Sequence, residues 1–191
     1  MRKLLFITAL WLGSLNIYSD YSTDQPTDLI NINGVSIAYT TAGEAGNPPV
    51  LMIMGLMGSH KVWGEEIVNG LVDSGYRVIL FDNRDTGESE NLDRLGKPNL
   101  YWKFAMSYLG VDFSSPYTLT DMALDGIGVL DHLGIEKAHI VGASMGGMIA
   151  QTIASKFPKR TKSLVSIMST TGAPHLSQMS ESNEQNFNNA G

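Results

Sequence analysis

Short unbroken apolar runs alternate with helix-spaced patterns along this chain. Val50-Leu51-Met52-Ile53-Met54 is one such run, Tyr76 to Phe81 a second, Ala138-His139-Ile140-Val141 a third and Leu164 to Met168 a fourth. Runs without alternation are what strands buried on both faces require. Between them, Trp63, Ile67, Val68 and Leu71 keep helical spacing, and Gly75 follows as a C-terminal cap. Thr118, with Asp121 three residues on, predicts a helix start whose buried face is Met122, Ala123, Ile127 and Leu130, with Gly134 at its end. Ile149, Ile153 and Phe157 predict one face of a last helix that Pro158 stops. Ahead of all this, residues 28–33 and 35–40 form two strands about Asn33-Gly34, a strong hairpin signal. Strands alternating with helices predict an α/β fold: a mostly parallel sheet flanked by helices. Residues 91–116 have no clean period and read as a long connection, and no internal repeat is visible.

Length and composition narrow the options. With 191 residues and 43% hydrophobic content the chain can bury a real core. Charged residues make up 17%, and the net charge is -6 with no basic stripe, so nucleic acid is not an expected partner. There is no cysteine, which excludes disulfides, thiolate catalysis and cysteine-bound metal. Arg2 and Lys3 precede a short apolar stretch, Leu4 to Leu12, too short to span a bilayer. Two readings fit it: a secretory signal peptide over residues 1–19, or an N-terminal helix packed on the domain. On the first, the protein is exported and residues 21–27 are a loose leader.

The chemistry concentrates at Gly142-Ala143-Ser144-Met145-Gly146, between a strand run and a helix pattern. A serine at such a turn is a nucleophile elbow, its hydroxyl held out above the sheet. Gly142 and Gly146 keep Cβ atoms out of the bend. A plain glycine-rich turn of a doubly wound sheet is the other reading. Acyl transfer also needs donors for an oxyanion. The N–H of Met145 is one candidate, and the N–H of Leu56, in the loop Met54-Gly55-Leu56-Met57-Gly58, is the other. Asp82, Arg84 and Asp85 read as a hydrogen-bonded brace rather than as catalytic groups. Met52, Met54, Met57, Met145 and Met148 either line an acyl pocket, chiefly Met57 and Met145, or fill core gaps.

These motifs give a resemblance. The order Met54-Gly55-Leu56, then Phe81-Asp82-Asn83-Arg84-Asp85-Thr86-Gly87-Glu88-Ser89, then Gly142-Ala143-Ser144-Met145-Gly146-Gly147 resembles the N-terminal part of the α/β-hydrolase fold over residues 32–174. The middle segment resembles the branch with aclacinomycin methylesterase-like proteins. Many relatives carry His-Gly where this chain has Met54-Gly55, a mild departure because the donor is main chain. The resemblance implies ester hydrolysis through an acyl-serine, a small-molecule substrate and no cofactor or metal.

A serine needs a histidine base oriented by a carboxylate, in the chain order Ser, acid, His for this fold. His60, His132 and His139 precede Ser144, and His175 is followed, not preceded, by Glu181 and Glu184. The expected organisation is therefore residues 27–175 as an incomplete hydrolase domain lacking two strands and most of a lid, with 176–191 a polar tail or lid start. Little turnover is expected of it. A non-catalytic ligand-binding homologue or an inactive fragment is the alternative. Haloalkane or epoxide hydrolysis, which normally uses an aspartate nucleophile, fits less well. Perhydrolysis on the same serine is not distinguished from esterase activity, and oligomeric state is left open.

Overall fold

A computed structural model describes residues 21–92 and 116–172. The expected signal peptide, most of the long connection, His175 and the polar tail lie outside the described residues. Six strands form one sheet in the order β1-β2-β4-β3-β5-β6. They are β1 (Asp28–Ile32), β2 (Val35–Ala42), β3 (Pro49–Ile53), β4 (Arg77–Phe81), β5 (Ala138–Ala143) and β6 (Thr161–Ile167). The first two make the antiparallel hairpin about Asn33-Gly34, both residues at positive φ. β2 joins β4 antiparallel, and β4, β3, β5 and β6 run parallel. Mostly parallel thus holds for the strands that carry the chemistry.

Among the described residues, three α-helices cover the two faces: α1 (Gly64–Asp73), α2 (Leu119–His132) and α3 (Met145–Lys156). Side-chain alternation along the strands makes two cores. Leu51, Ile53, Ile79, Phe81 and Ile140 point to one side, where Ala123, Ile127, Leu130, Ile149 and Ile153 of α2 and α3 meet them. Val50, Met52, Val78 and Leu80 point to the other, under Trp63, Val68 and Val72. Thr118 and Asp121 close a full capping box at the start of α2. Gly75 and Gly134 follow α1 and α2 in the left-handed region, at φ 82° and 67°.

Three expectations change. Ile67 is 53% exposed, because α1 buries Val68 and Val72 and leaves Ile67 on its outer side. Residues 21–27 are not a loose leader. The Tyr21 ring is buried in the second core, and its backbone N–H and C=O bond to the Asn69 side chain at 2.7 and 3.0 Å. Thr23 bonds Glu65 and Gln25 bonds Thr40, so the segment is tied to α1 and β2. Finally, β6 begins at Thr161 rather than Leu164, and it is not buried on both faces.

Among the described residues, β6 pairs only with β5. Leu164 is 40% and Val165 47% exposed. An apolar edge with unpaired backbone groups is a template for another chain. The protein is expected to self-associate as its concentration rises, and Val165→Lys to weaken that association. Sedimentation velocity across a concentration series checks both.

Candidate active site

The carboxyl ends of β3, β4 and β5 meet where the winding direction reverses. From β3 the chain steps to β4 on one side, then returns to β5 on the other. In such sheets this is where a crevice for ligands opens. Ser144 stands there, between β5 and α3, exposed and at φ 54°, ψ -122°. A serine at that φ carries about 1–3 kcal/mol of strain. The surroundings impose it. Ser144 donates its N–H to Ile167 O at 2.9 Å, and its carbonyl accepts from Gly147 N at 2.9 Å.

Both elbow glycines are required by contact. A Cβ on Gly142 would fall on the Gly146 carbonyl and 2.7 Å from Gly147 N. One on Gly146 would fall on the Ile53 carbonyl and 2.7 Å from Met54 O. The loop after β3 is packed equally tightly on the serine. A Cβ on Gly55 would lie 2.9 Å from Ser144 Cβ and 3.4 Å from its Oγ. Main chain at Gly55 therefore flanks the hydroxyl. Among the described residues no acceptor takes the N–H of Leu56 or of Met145. The Met145 N–H opens α3, so the positive end of that helix also faces the serine.

The segment after β4 braces this edge, as its polar residues suggested. Asp82 accepts from the His60 N–H at 2.6 Å, from His60 Nδ1 at 2.8 Å and from the Glu88 N–H at 2.8 Å. Asn83 Nδ2 donates to Met54 O at 2.8 Å. Arg84 grips Asp125 of α2 with two bonds of 2.7 Å and lies over the Tyr117 ring. Asp85 accepts from Leu92 N at 2.6 Å and from the Tyr117 hydroxyl at 2.7 Å. Burial, then that bond and the Asp85 charge, push the Tyr117 phenol well up, so it stays a donor.

In the sequence Asn83 stands out only as part of a polar segment, and nothing links His60 to Asp82. The available signal was a polar run directly after a buried strand. His60 is 1% exposed, and its Nε2 has no partner among the described residues. His132 packs edge-on against Tyr39, and His139 Nδ1 meets Ser163 Oγ at 2.7 Å. The partners of these three rings are thus Asp82, Tyr39 and Ser163, not Ser144. Met52 belongs to the core, and Met57 is 67% exposed at φ 60°. Among the described residues no group of acidic or histidine side chains could hold a metal. No helix among them is long and apolar enough to cross a membrane.

Two outcomes follow from these contacts. Gly146→Ala is expected to cost about 3 kcal/mol or more, since a methyl would press on main chain that cannot retreat; urea denaturation measures it. Burial pushes the Asp82 carboxyl up, but bonds from the His60 side chain, the Glu88 N–H and the His60 N–H outweigh it and hold it below its ordinary 3.8. Its stabilisation is present above that value and is lost as pH falls through the lower folded one. Thermal midpoints should drop on acidification in that window, and Asp82→Asn should flatten the drop.

Comparison with known proteins agrees with this geometry. The family model described as the alpha/beta hydrolase fold matches residues 48–189. Rhodomycin D methylesterase DnrP of Streptomyces peucetius is 34% identical over 73% of this chain and 41% of its own length. 3-Oxoadipate enol-lactonase 2 of Acinetobacter baylyi is 27% identical over 72% of this chain and 43% of its own. The chain thus spans less than half the length of these relatives. Among solved structures, a hydrolase from Pseudomonas aeruginosa PA01 superposes with TM-score 0.60 at 22% identity, over 86% of this chain and 51% of that one. By fold, by motif order and by family match, the chain belongs to the α/β-hydrolase family.

Proposed function

We propose that this chain carries the acyl-transfer end of a serine esterase that acts on small carboxylic esters without a cofactor. The observation that carries the proposal is the exposed Ser144, at φ 54° on the carboxyl edge of the sheet, beside the Gly55 main chain. In the reaction, Ser144 Oγ bonds to the ester carbonyl carbon and its proton passes to a general base. The N–H groups of Leu56 and Met145 hold the oxyanion that forms. The bond to the alcohol then breaks, and the base returns the proton to the leaving oxygen. Water repeats the sequence on the acyl-serine, releasing the acid and restoring the hydroxyl. Each oxyanion donor is worth about 3 kcal/mol of barrier. The methylesterase and enol-lactonase names among the relatives support a carboxylic-ester substrate.

No histidine among the described residues is hydrogen-bonded to Ser144, which favours stoichiometric acylation over rapid turnover by these residues alone. The same fact gives the second reading some support: a hydrolase shell that binds a small apolar ligand without cleaving it.

Incubation with a fluorophosphonate separates the two. The expected result is one adduct, located by peptide mass spectrometry at Ser144 and absent from Ser144→Ala. A wild-type protein that stays unlabelled while folded removes the esterase assignment.

A further inference from the structure

The geometry points to Asn83 as a positioning residue for the oxyanion donor on Leu56, a role that rests on the esterase assignment above. Backbone pairing between β3 and β4 runs from Pro49↔Arg77 to Met52↔Leu80 and stops there. Beyond that point the two chains would separate, one into the loop at Gly55 and the other into the turn at Arg84. Asn83 bridges the gap. Its Nδ2 reaches back to Met54 O at 2.8 Å, doing with a side chain what the ladder no longer does with main chain.

The bond falls at a decisive place. Met54 O is held by Asn83 and also sits against Gly146 of the elbow, where a Cβ would be 2.7 Å from it. Fixing that carbonyl fixes the Met54–Gly55 peptide, the one directly before the peptide that carries the Leu56 N–H. The following residue, Gly55, has no side chain to define its own torsions. The Gly58 N–H bonds Gly55 O at 3.2 Å and closes the turn from within, while the tether on Met54 O is what ties that turn, and with it the Leu56 N–H, to the β4 side. Asn83 is 2% exposed, so water does not compete for the bond. Its Oδ1 is buried without a partner among the described residues. An amide turned the other way would set Oδ1 against the Met54 carbonyl, two acceptors facing each other, so the donor orientation is the stable one.

Arg84 and Asp85 point elsewhere, to α2 and to Leu92 and Tyr117. Among these neighbours only Asn83 bonds the loop that flanks the serine. It touches no reacting atom and acts through Met54.

Asn83→Asp keeps the shape, removes the donor and sets a carboxylate oxygen against Met54 O. The test compares saturation kinetics of fluorophosphonate labelling at Ser144 in the wild type and this variant. The reagent forms an Oγ–P bond with loss of fluoride, and the hydroxyl proton goes to buffer. A displaced oxyanion donor lowers the maximal labelling rate, and about a tenfold to hundredfold fall is expected, with half-saturation changed less than about twofold. A purely structural loss would instead scale with the fraction unfolded, read in parallel from the thermal midpoint. Equal maximal rates in a labelled wild type and a folded Asn83→Asp overturn the positioning role and leave the esterase assignment standing. An unlabelled wild type overturns both. Should the variant not fold, exchange of the Asn83 side-chain amide protons in the wild type decides: one protected proton supports the tether, and fast exchange of both overturns it.

Discussion

The backbone of Gly146 lies so close to the carbonyls of Ile53 and Met54 that only a hydrogen fits between them. This approach joins the two halves of the candidate site. β3 and β5 stay in parallel register up to Ile53↔Gly142, and α3 then starts directly against the end of β3. The cost of that tight start falls on Ser144, driven into the left-handed region with its N–H bonded to the end of β6. Any residue larger than glycine at 146 would lift α3 away from β3. The serine would then lose both its direction and the neighbouring Gly55 main chain.

Four successive residues after β4 supply the bracing. Asp82 holds the turn that starts with His60, Asn83 the loop beside the serine, Arg84 the helix α2, and Asp85 both Leu92 and Tyr117. Each bond contributes about 0.5–1.5 kcal/mol net. Their importance lies more in the penalty for breaking them. Asp82, Asn83, Arg84 and Asp125 are all buried, and a buried polar group left unpaired costs about 1–3 kcal/mol, more if charged. Breaking any of these bonds is therefore costly, which makes the segment a rigid frame for the glycine-rich loop beside it.

Much of this was legible in the sequence. The strand runs, the hairpin at Asn33-Gly34, the capping pair Thr118 and Asp121 and the glycines of the elbow all carry local signals, and apart from the bounds of β6 each appears where those signals put it. What escaped has a common cause. The anchoring of Tyr21 on Asn69, the pairing of His60 with Asp82 and the reach of Asn83 to Met54 link segments 48, 22 and 29 residues apart. Bonds between a side chain and a distant partner leave no period in the sequence. Ile67 misled for a related reason: it shares helical spacing with Val68, and only the position of the sheet decides which of two adjacent apolar residues faces inward.

The same contacts constrain the proton transfer. His60 and Asp82 form a histidine–carboxylate pair close in sequence to the oxyanion loop, and such a pair invites a catalytic role. Its geometry opposes one. Asp82 engages Nδ1, and Nε2 is buried without a hydrogen-bond partner among the described residues. To reach the serine the ring would have to leave a site where it is 1% exposed and where Asp82 also holds its own backbone N–H at 2.6 Å. His132 is at the end of α2, and His139 pairs near the start of β5, the opposite end from the serine. In the proposed reaction, stabilising the oxyanion needs only main chain, for which the elbow and the β3 loop are the candidates. Accepting the serine proton needs a side chain that can approach Oγ, and His60, His132 and His139 each engage other partners, Asp82, Tyr39 and Ser163.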